Sequence, residues 1–189
     1  MDLTEKTLSA QRVFEGRLIH VRHDQVCLPD GQKTVREVVE HPGGVAIAAL
    51  TEEGQILLVD QFRYAQQRVM REVPAGKLER GEDPRKAALR ELEEETGYRA
   101  EHIKLMGEFI PTGAYLEERI WMYFAWGLSF AGQHPDADEF LHVTKMDLGE
   151  LVEQIMNGTI IDGKTIAMGL KLQRMLENSS VAKRKAATD

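Results

Sequence analysis

Cysteine is almost absent from this chain, and so are the long apolar segments that mark export or membrane insertion. Cys27 is the only cysteine among 189 residues, so no disulfide bond can form within the chain, and this favours a reducing, cytoplasmic location. No run of about 18 apolar residues occurs, and residues 1–10 lack the apolar core of a secretion signal. We therefore expect a cytoplasmic protein that does not associate with a membrane.

Excess positive charge is also lacking. The 31 Asp and Glu residues outnumber the 24 Lys and Arg residues, and the formal net charge is −7, which argues against nucleic-acid partners and anionic membrane surfaces. An anionic substrate would therefore need arginines or a metal ion placed close to it. The hydrophobic fraction of 42% and the charged fraction of 29% are ordinary for a globular chain, and this length allows one domain with a buried core.

The chain does contain an unusual group of glutamates on one short helix. Asp83 followed by Pro84 predicts where that helix begins, because Asp caps helix N-termini well and Pro suits the first helical position. At about 100° per residue, the side chains of Glu91, Glu94 and Glu95 then fall within an arc of about 100°. The helix thus carries three carboxylates on one side.

These carboxylates lack a full set of basic neighbours. Glu91 and Glu95 stand at i and i+4 and form a like-charge pair, which costs a few tenths of a kcal/mol in an isolated helix. Arg90 can reach Glu94, but no basic residue stands at helical spacing from Glu91. Glutamates on a solvated surface usually alternate with Lys or Arg. We therefore interpret this group as oxygen ligands for a cation, and such ligands suit Mg²⁺ or Mn²⁺ rather than Zn²⁺.

The residues around this helix resemble the Nudix box, the signature of a family of pyrophosphohydrolases. The matching positions are Gly76, then after five residues Glu82, after seven more Arg90-Glu91-Leu92, and after one residue each Glu94-Glu95 and Gly97. Tyr98 follows, where the family pattern usually has an aliphatic residue. The resemblance implies an α/β fold, the Nudix-type α/β/α sandwich with a mixed sheet, and metal-dependent hydrolysis of a pyrophosphate bond.

The resemblance also implies roles for the residues of the box. The expected metal ligands are Glu91, Glu94, Glu95 and the main-chain carbonyl of Ala75, which precedes the glycine of the box. Arg90 and Glu82 are expected to form an ion pair that fixes the loop to the helix and so supports catalysis. The cofactor implied is Mg²⁺ or Mn²⁺.

A general base or a further metal ligand is expected outside the box, in an acidic loop. Asp136, Asp138 and Glu139 precede a predicted strand. Glu139 is the best match to the catalytic-loop glutamate of the ADP-ribose pyrophosphatase branch of the family. Where relatives of that branch carry a second acid, this chain has Ala137, so the division between base and metal ligand stays open.

Substrate contacts are expected from charged residues on both sides of the box. Arg36 and Arg63 match positions that hold phosphate or ribose in ADP-ribose pyrophosphatases, and Arg suits bidentate binding of phosphate. Each could instead pair with an acid on the surface. Glu72 could accept ribose hydroxyls or simply end a strand. Either Glu117 or Glu118 could contact ribose, because they end a segment that resembles the proline-containing loop of that branch.

Turn signals divide the chain into three regions. Residues 1–41 are expected to form N-terminal strands, residues 42–178 the Nudix domain, and residues 179–189 a flexible tail, with Pro42-Gly43-Gly44 at the first boundary. The expected strands are Arg12–Phe14, Leu18–Leu28, Lys33–Glu40, Val45–Leu50, Gln55–Asp60, Ile103–Phe109, Arg119–Phe130 and Leu141–Met146. One expected helix runs from a capping box at Asp147 to about Asn157, and the last from about Lys164 to Glu177.

The leading interpretation is a hydrolase that cleaves ADP-ribose, or a related nucleoside diphosphate sugar, to AMP and ribose 5-phosphate. The N-terminal strands resemble those that build a homodimer in the ADP-ribose pyrophosphatase branch, often by exchange between subunits, so we expect a homodimer. One alternative is a (d)NTP or dinucleoside polyphosphate hydrolase, against which these strands argue. Another is a sensor that binds ADP-ribose without cleaving it, which should have lost a glutamate of the box.

Overall fold

Ten strands, three α-helices and one short 3₁₀-helix (Tyr64–Gln66) make up the regular structure of the described chain. The computed structural model describes residues 1–134 and 140–186, with side chains as far as Ser179. The strands are β1 (Lys6–Glu15), β2 (His20–Cys27), β3 (Lys33–Glu40), β4 (Gly44–Ala49), β5 (Gln55–Arg63), β6 (Arg68–Glu72), β7 (Ala75–Lys77), β8 (Tyr98–Phe109), β9 (Ile120–Phe130) and β10 (Leu141–Asp147). The helices are α1 (Pro84–Thr96), α2 (Leu148–Met156) and α3 (Gly163–Ala186). Contacts group the chain into unit 1, Met1–Gly43 with Ile110–Ile120, and unit 2, Gly44–Phe109 with Trp121–Asp189.

Unit 1 is built on an antiparallel sheet in the order β1-β2-β3. The turn Pro29-Asp30-Gly31 joins β2 to β3, and its glycine has the positive φ of 87° that such turns favour. The segment 110–120 joins β3, because the amide of Val39 donates to the carbonyl of Tyr115 (2.7 Å) and the amide of Glu117 donates to the carbonyl of Val39 (3.0 Å). Strand β1 lies at the edge of the sheet and is exposed along its whole length.

Unit 2 contains two sheets, with strand orders β10-β5-β6 and β7-β4-β9-β8. Strand β4 is buried at every residue, as a continuous apolar run in a central strand predicts. The core joins β4, β5 and β9 to α1 through Val45, Ile47, Ala49, Leu57, Ala87, Ala88, Leu92, Tyr123 and Ala125. Burial of Leu92 alone contributes about 1.5–3 kcal/mol, so α1 is held firmly on the sheet by its apolar side.

Helix α1 begins at Pro84, as the sequence predicts. The Asp83 carboxylate accepts hydrogen bonds from the amides of Arg85 and Lys86, both at 3.1 Å, and so caps the first turn. The helix ends at Gly97, which has a left-handed φ of 76° that glycine adopts without steric cost. These two local signals fix the ends of the helix at the positions that the sequence predicts.

Several expected element boundaries are wrong. Strands β6 and β7 were not expected, because runs of five and three residues are too short to show an alternating pattern. Strand β1 covers far more than Arg12–Phe14. Helix α3 continues beyond Glu177 to Ala186, since Ala and Lys in this stretch are strong helix formers. At the expected capping box, the side chain of Asp147 makes no capping hydrogen bond.

The mixed α/β fold class is confirmed, with a small antiparallel sheet at the N-terminus. Along the chain, the first border between the two units falls between Gly43 and Gly44, within the segment Pro42-Gly43-Gly44 where the sequence predicts a boundary. In the described part of the chain, no helix combines the length and the apolar character that crossing a membrane requires.

Candidate active site

The loop that carries the glycine of the box, in which residues 75–77 form the short strand β7, lies directly against α1. Gly76 pairs with Val45, and Ala75 with Ala46, where β7 meets β4. The Glu91 carboxylate lies so close to the Gly76 α-carbon that a Cβ on this residue would overlap it. Glycine is therefore required at this position for the backbone to approach the glutamate.

A second glutamate of the stripe, the name we give to Glu91, Glu94 and Glu95 together, contacts the same loop. The Glu95 carboxylate accepts a hydrogen bond of 2.9 Å from the amide of Ala75. Glu95 is 2% exposed and Glu91 is 9% exposed, so both acids are buried where the loop and α1 meet. A buried carboxylate is costly unless it is hydrogen-bonded or paired with a cation, and the loop provides part of this compensation.

Arg90 contacts three carboxylates at once. Its Nε and Nη2 donate to Glu82 at 2.9 and 3.0 Å, while Nη1 lies 2.8 Å from the carboxylate oxygens of both Glu91 and Glu94. Hydrogen bonds from Arg90 lower the pKa of the Glu82 carboxyl. The pKa of Arg90 is raised first by its hydrogen bonds to Glu82, and then by the charge of Glu91 and by hydrogen bonds to Glu94 and Glu91. Glu82 also accepts from the amide of Glu79 (3.0 Å), so the predicted contact between loop and helix is present.

No basic residue stands at helical spacing from Glu91, but the conclusion that Glu91 lacks a basic partner is wrong. Helical spacing counts neighbours three or four residues apart, but Arg90 is adjacent in sequence and its long side chain bends to place Nη1 between Glu91 and Glu94. Three carboxylates nevertheless share this single guanidinium. The stripe is thus partly compensated within the described chain.

The residues around this loop fit a divalent metal ion by their chemistry. Their donors are carboxylate oxygens, which Mg²⁺ and Mn²⁺ prefer, and the glycine at position 76 leaves room for the Glu91 carboxylate that a Cβ would fill. In residues 1–134 and 140–179, no three His, Cys, Asp or Glu side chains converge closely enough to form a ready-made metal cluster. A metal bound by Glu91 and Glu94 would have to compete with Arg90 for the same oxygens.

Arg63 and Glu72 form a bidentate pair next to this loop. Arg63 Nε and Nη2 each donate to the Glu72 carboxylate at 2.8 Å. Lys164 at the start of α3 also contacts this carboxylate, which is 1% exposed. Burial opposes ionisation of Glu72, but Arg63 and Lys164 outweigh that effect and hold its pKa below the ordinary value. Glu72 also ends β6, the alternative that the sequence allowed.

Three residues of this region were missed from the sequence: Asp162, Lys164 and Thr165. Asp162 caps α3 by accepting from the Thr165 amide (2.9 Å). The hydroxyl of Thr165 accepts from the amide of Val73 (2.9 Å). An Asp before an amphipathic helix is a recognisable N-cap signal, but nothing local indicates that this turn contacts residues so distant in sequence.

Three of the predicted substrate residues lie in unit 1, and each has an acidic or basic neighbour there. Arg36 donates to Glu5 at 3.0 and 2.6 Å, which is the surface pairing that the sequence allowed. The Glu117 carboxylate lies 2.9 Å from Arg22, and the Glu118 carboxylate lies 3.7 Å from His41. Their roles as substrate contacts stay predictions.

The proposed base lies outside the described residues. Glu139, with Asp136, Asp138 and Ala137, falls between residues 134 and 140, where the described chain is interrupted. The role of Glu139 as base or metal ligand therefore stays a prediction.

Two family models match this chain. Residues 40–167 match the model of the NUDIX domain. Residues 5–39 match the model of the nucleoside diphosphate sugar hydrolase N-terminal domain. Together the two matches extend over most of the chain, and the first alone covers more than half of it.

Several known proteins are similar over nearly their whole length. A methanol dehydrogenase activator from Bacillus methanolicus is 42% identical over 92% of this chain and 96% of its own. An ADP-ribose pyrophosphatase from Bacillus subtilis (strain 168) is 39% identical over 86% of this chain and 89% of its own. A solved structure described as an ADP compounds hydrolase superimposes with a TM-score of 0.83 over 95% of this chain and 98% of its own, at 18% identity, which establishes the similarity of fold.

Proposed function

The chain belongs to the Nudix family of hydrolases, and we propose that it hydrolyses the pyrophosphate bond of ADP-ribose or a related nucleoside diphosphate sugar. With ADP-ribose the products would be AMP and ribose 5-phosphate, and the reaction would need Mg²⁺ or Mn²⁺. The observation that carries the proposal is the placement of the Glu91 and Glu95 carboxylates against residues 75–76. This arrangement collects hard oxygen donors beside a backbone that only glycine allows so close.

The proposed metal ligands are Glu91, Glu94, Glu95 and the Ala75 carbonyl. When bound, the metal would neutralise charge on the pyrophosphate oxygens and stabilise the leaving phosphate. Arg90 pairs with Glu91 and Glu94 through Nη1 and would yield these oxygens to the metal, while its other nitrogens hold Glu82. In this proposal Glu139 takes a proton from the attacking water, as a general base.

Arg63 is the proposed phosphate contact within unit 2. Its guanidinium is oriented by two hydrogen bonds to Glu72, and 39% of its side chain stays exposed. An oriented guanidinium needs little reorganisation to bind a phosphate oxygen. Glu72 would therefore act mainly by orienting Arg63, and the ribose contact that the sequence suggested stays a prediction.

Similarity supports the choice of substrate. Relatives from Bacillus subtilis and Mycobacterium tuberculosis, the latter 34% identical over 86% of this chain, are named ADP-ribose pyrophosphatases. The match of residues 5–39 to an N-terminal domain of nucleoside diphosphate sugar hydrolases points to the same substrate class. All glutamates of the box are present, which favours catalysis over binding alone.

The test is a substrate panel with purified protein and Mg²⁺ or Mn²⁺. We expect AMP release from ADP-ribose, slower cleavage of a (d)NTP and a dinucleoside polyphosphate, and loss of most activity in Glu95→Gln. The glutamine can still accept the bond from the Ala75 amide, so the fold should persist. Fastest turnover of a (d)NTP would refute the choice of substrate. Binding of ADP-ribose with no turnover would identify a sensor instead.

A second copy of the chain is the proposed partner, through unit 1. Strand β1 is an edge strand that exposes Leu8, Val13 and Phe14 at 50%, 48% and 54%. An edge strand also offers unpaired backbone groups, which natural proteins usually cover. Light scattering after size-exclusion chromatography should give twice the mass of one chain. The mass of a single chain at micromolar concentration would exclude the dimer.

A further inference from the structure

The first turn of α3 is hydrogen-bonded to the segment that carries the proposed Ala75 ligand. The hydroxyl oxygen of Thr165 accepts from the amide of Val73 at 2.9 Å and the hydroxyl donates to Asp162 at 2.6 Å. Thr165 is fully buried. A buried amide left without an acceptor costs about 1–3 kcal/mol, so this bond constrains where residue 73 lies.

The hydrogen bond between the Val73 amide and the Thr165 hydroxyl is not needed to cap the helix. The Asp162 carboxylate already accepts from the Thr165 amide at 2.9 Å, which satisfies one of the free amides at the start of α3. A valine at position 165 would keep this cap and the shape of the side chain. The bond that the hydroxyl donates to Asp162 stays within the turn, so its bond with the Val73 amide is the one that reaches the segment 72–76.

Other hydrogen bonds locate the residues that follow Val73. The amide of Ile47 donates to the carbonyl of Pro74 at 2.8 Å, and the amide of Ala75 donates to Glu95 at 2.9 Å. The Ala75 carbonyl lies at the end of this series. A shift at Val73 would disturb these bonds and so affect a proposed metal ligand two residues further on, together with the Glu95 carboxylate that the Ala75 amide contacts.

Lys164 acts on the other end of the segment. Its ammonium group contacts the Glu72 carboxylate and lies 2.9 Å from Asp162. Glu72 in turn holds Arg63 in a bidentate pair. Lys164 therefore shares the charge of Glu72 with Arg63, and without it the full charge of that buried carboxylate would attract the guanidinium.

We propose that the turn Asp162–Thr165 is a positioning element for the active site, in which Thr165 sets the Ala75 carbonyl and Lys164 sets Arg63. The inference rests on the proposed function, because it assumes that Ala75 and Glu95 hold the metal and that Arg63 binds phosphate. Residues that orient metal ligands typically change affinity or activity by about 10–100-fold when they are altered. No residue of the turn needs to touch the substrate.

The experiment measures Mn²⁺ binding to the substrate-free protein by electron paramagnetic resonance, together with turnover and thermal unfolding. Thr165→Val should weaken Mn²⁺ binding and lower kcat by about 10-fold or more, and Thr165→Ser, which restores the hydroxyl, should return both. The control is Leu172→Ala, a fully buried residue about two turns further along the same helix, whose loss lowers stability.

Lys164→Met provides an independent reading if Thr165→Val does not fold. It should raise KM several-fold at nearly unchanged kcat, because Arg63 becomes less available to phosphate, and Lys164→Arg should restore KM. Unchanged Mn²⁺ binding in a folded Thr165→Val would overturn the inference. An equal loss of Mn²⁺ affinity in Leu172→Ala would also overturn it, and so would a wild-type protein that binds no Mn²⁺. Weaker Mn²⁺ binding in Thr165→Val, in a protein that cleaves no nucleotide sugar, would support positioning and refute the proposed substrate instead.

Discussion

One methyl group at Gly76 should displace the Glu91 carboxylate, because a Cβ at this position would overlap its atoms. The φ angle of Gly76 is not positive, so its backbone conformation is open to alanine. The loss of stability would come from the contact between the new Cβ and the Glu91 carboxylate. Overpacking of this kind typically costs about 1–3 kcal/mol. In a chain of this length about 1 kcal/mol corresponds to about 2–4 °C in Tm, so Gly76→Ala should melt several degrees lower. Turnover should fall by about 10–100-fold or more, since a proposed metal ligand moves.

The assay for this prediction is a double-mutant cycle followed by thermal unfolding and AMP release. Shortening the side chain in Glu91→Ala removes the atoms that the new Cβ would meet, so Gly76→Ala should cost far less stability in that background. Gly149→Ala is the matched control, because a Cβ there meets no atom within 4 Å. Equal stability costs of Gly76→Ala with and without the Glu91 side chain would refute the steric explanation.

Three further predictions concern the charged residues. The folded-state pKa of Glu72 is lowered, so its ion pairs stabilise the fold near neutral pH, and this contribution is lost as pH falls below the ordinary value of 4.5. Glu72→Gln should therefore be less stable than the wild type near neutral pH and should lose less stability in acid. Denaturant unfolding that gives the same dependence of stability on acid pH for both proteins would contradict this. Arg90→Lys cannot keep the bidentate bond to Glu82, so turnover should drop about 10-fold or more, and wild-type turnover would remove Arg90 from the orienting role. Glu139→Gln should lower kcat by about 10²–10⁴-fold and remove the acidic limb of the pH profile, whereas normal kcat would assign the base elsewhere.

The box helix was predictable because its signals are local. Asp83, Pro84 and Gly97 set its ends through capping and backbone preferences that act within one turn. The ion pair between Arg90 and Glu82 was also expected from the family resemblance, and the structure shows it at 2.9 Å. These residues lie within one loop and one helix, so a short stretch of sequence contains the whole arrangement.

The turn at the start of α3 was not predictable, because its function depends on tertiary contacts. Val73 and Thr165 meet only when β6 and α3 are packed in the same unit. Single-sequence patterns describe periodicity and caps, and they carry no information on such pairings. The same limit explains Lys164, which sequence alone shows only as a charged residue near a helix start.

Arg90 changes the electrostatic interpretation of the glutamate stripe. Sequence spacing suggested a group of carboxylates without a cation, but one guanidinium contacts Glu82, Glu91 and Glu94. Arginine stays charged at any pH the protein tolerates, so this contact persists until another cation takes the oxygens. If another cation took the oxygens of Glu91 and Glu94, Arg90 would still be paired with Glu82 through two separate hydrogen bonds. In the proposed mechanism Arg90 would release Nη1 from Glu91 and Glu94 when the metal binds and would remain paired with Glu82.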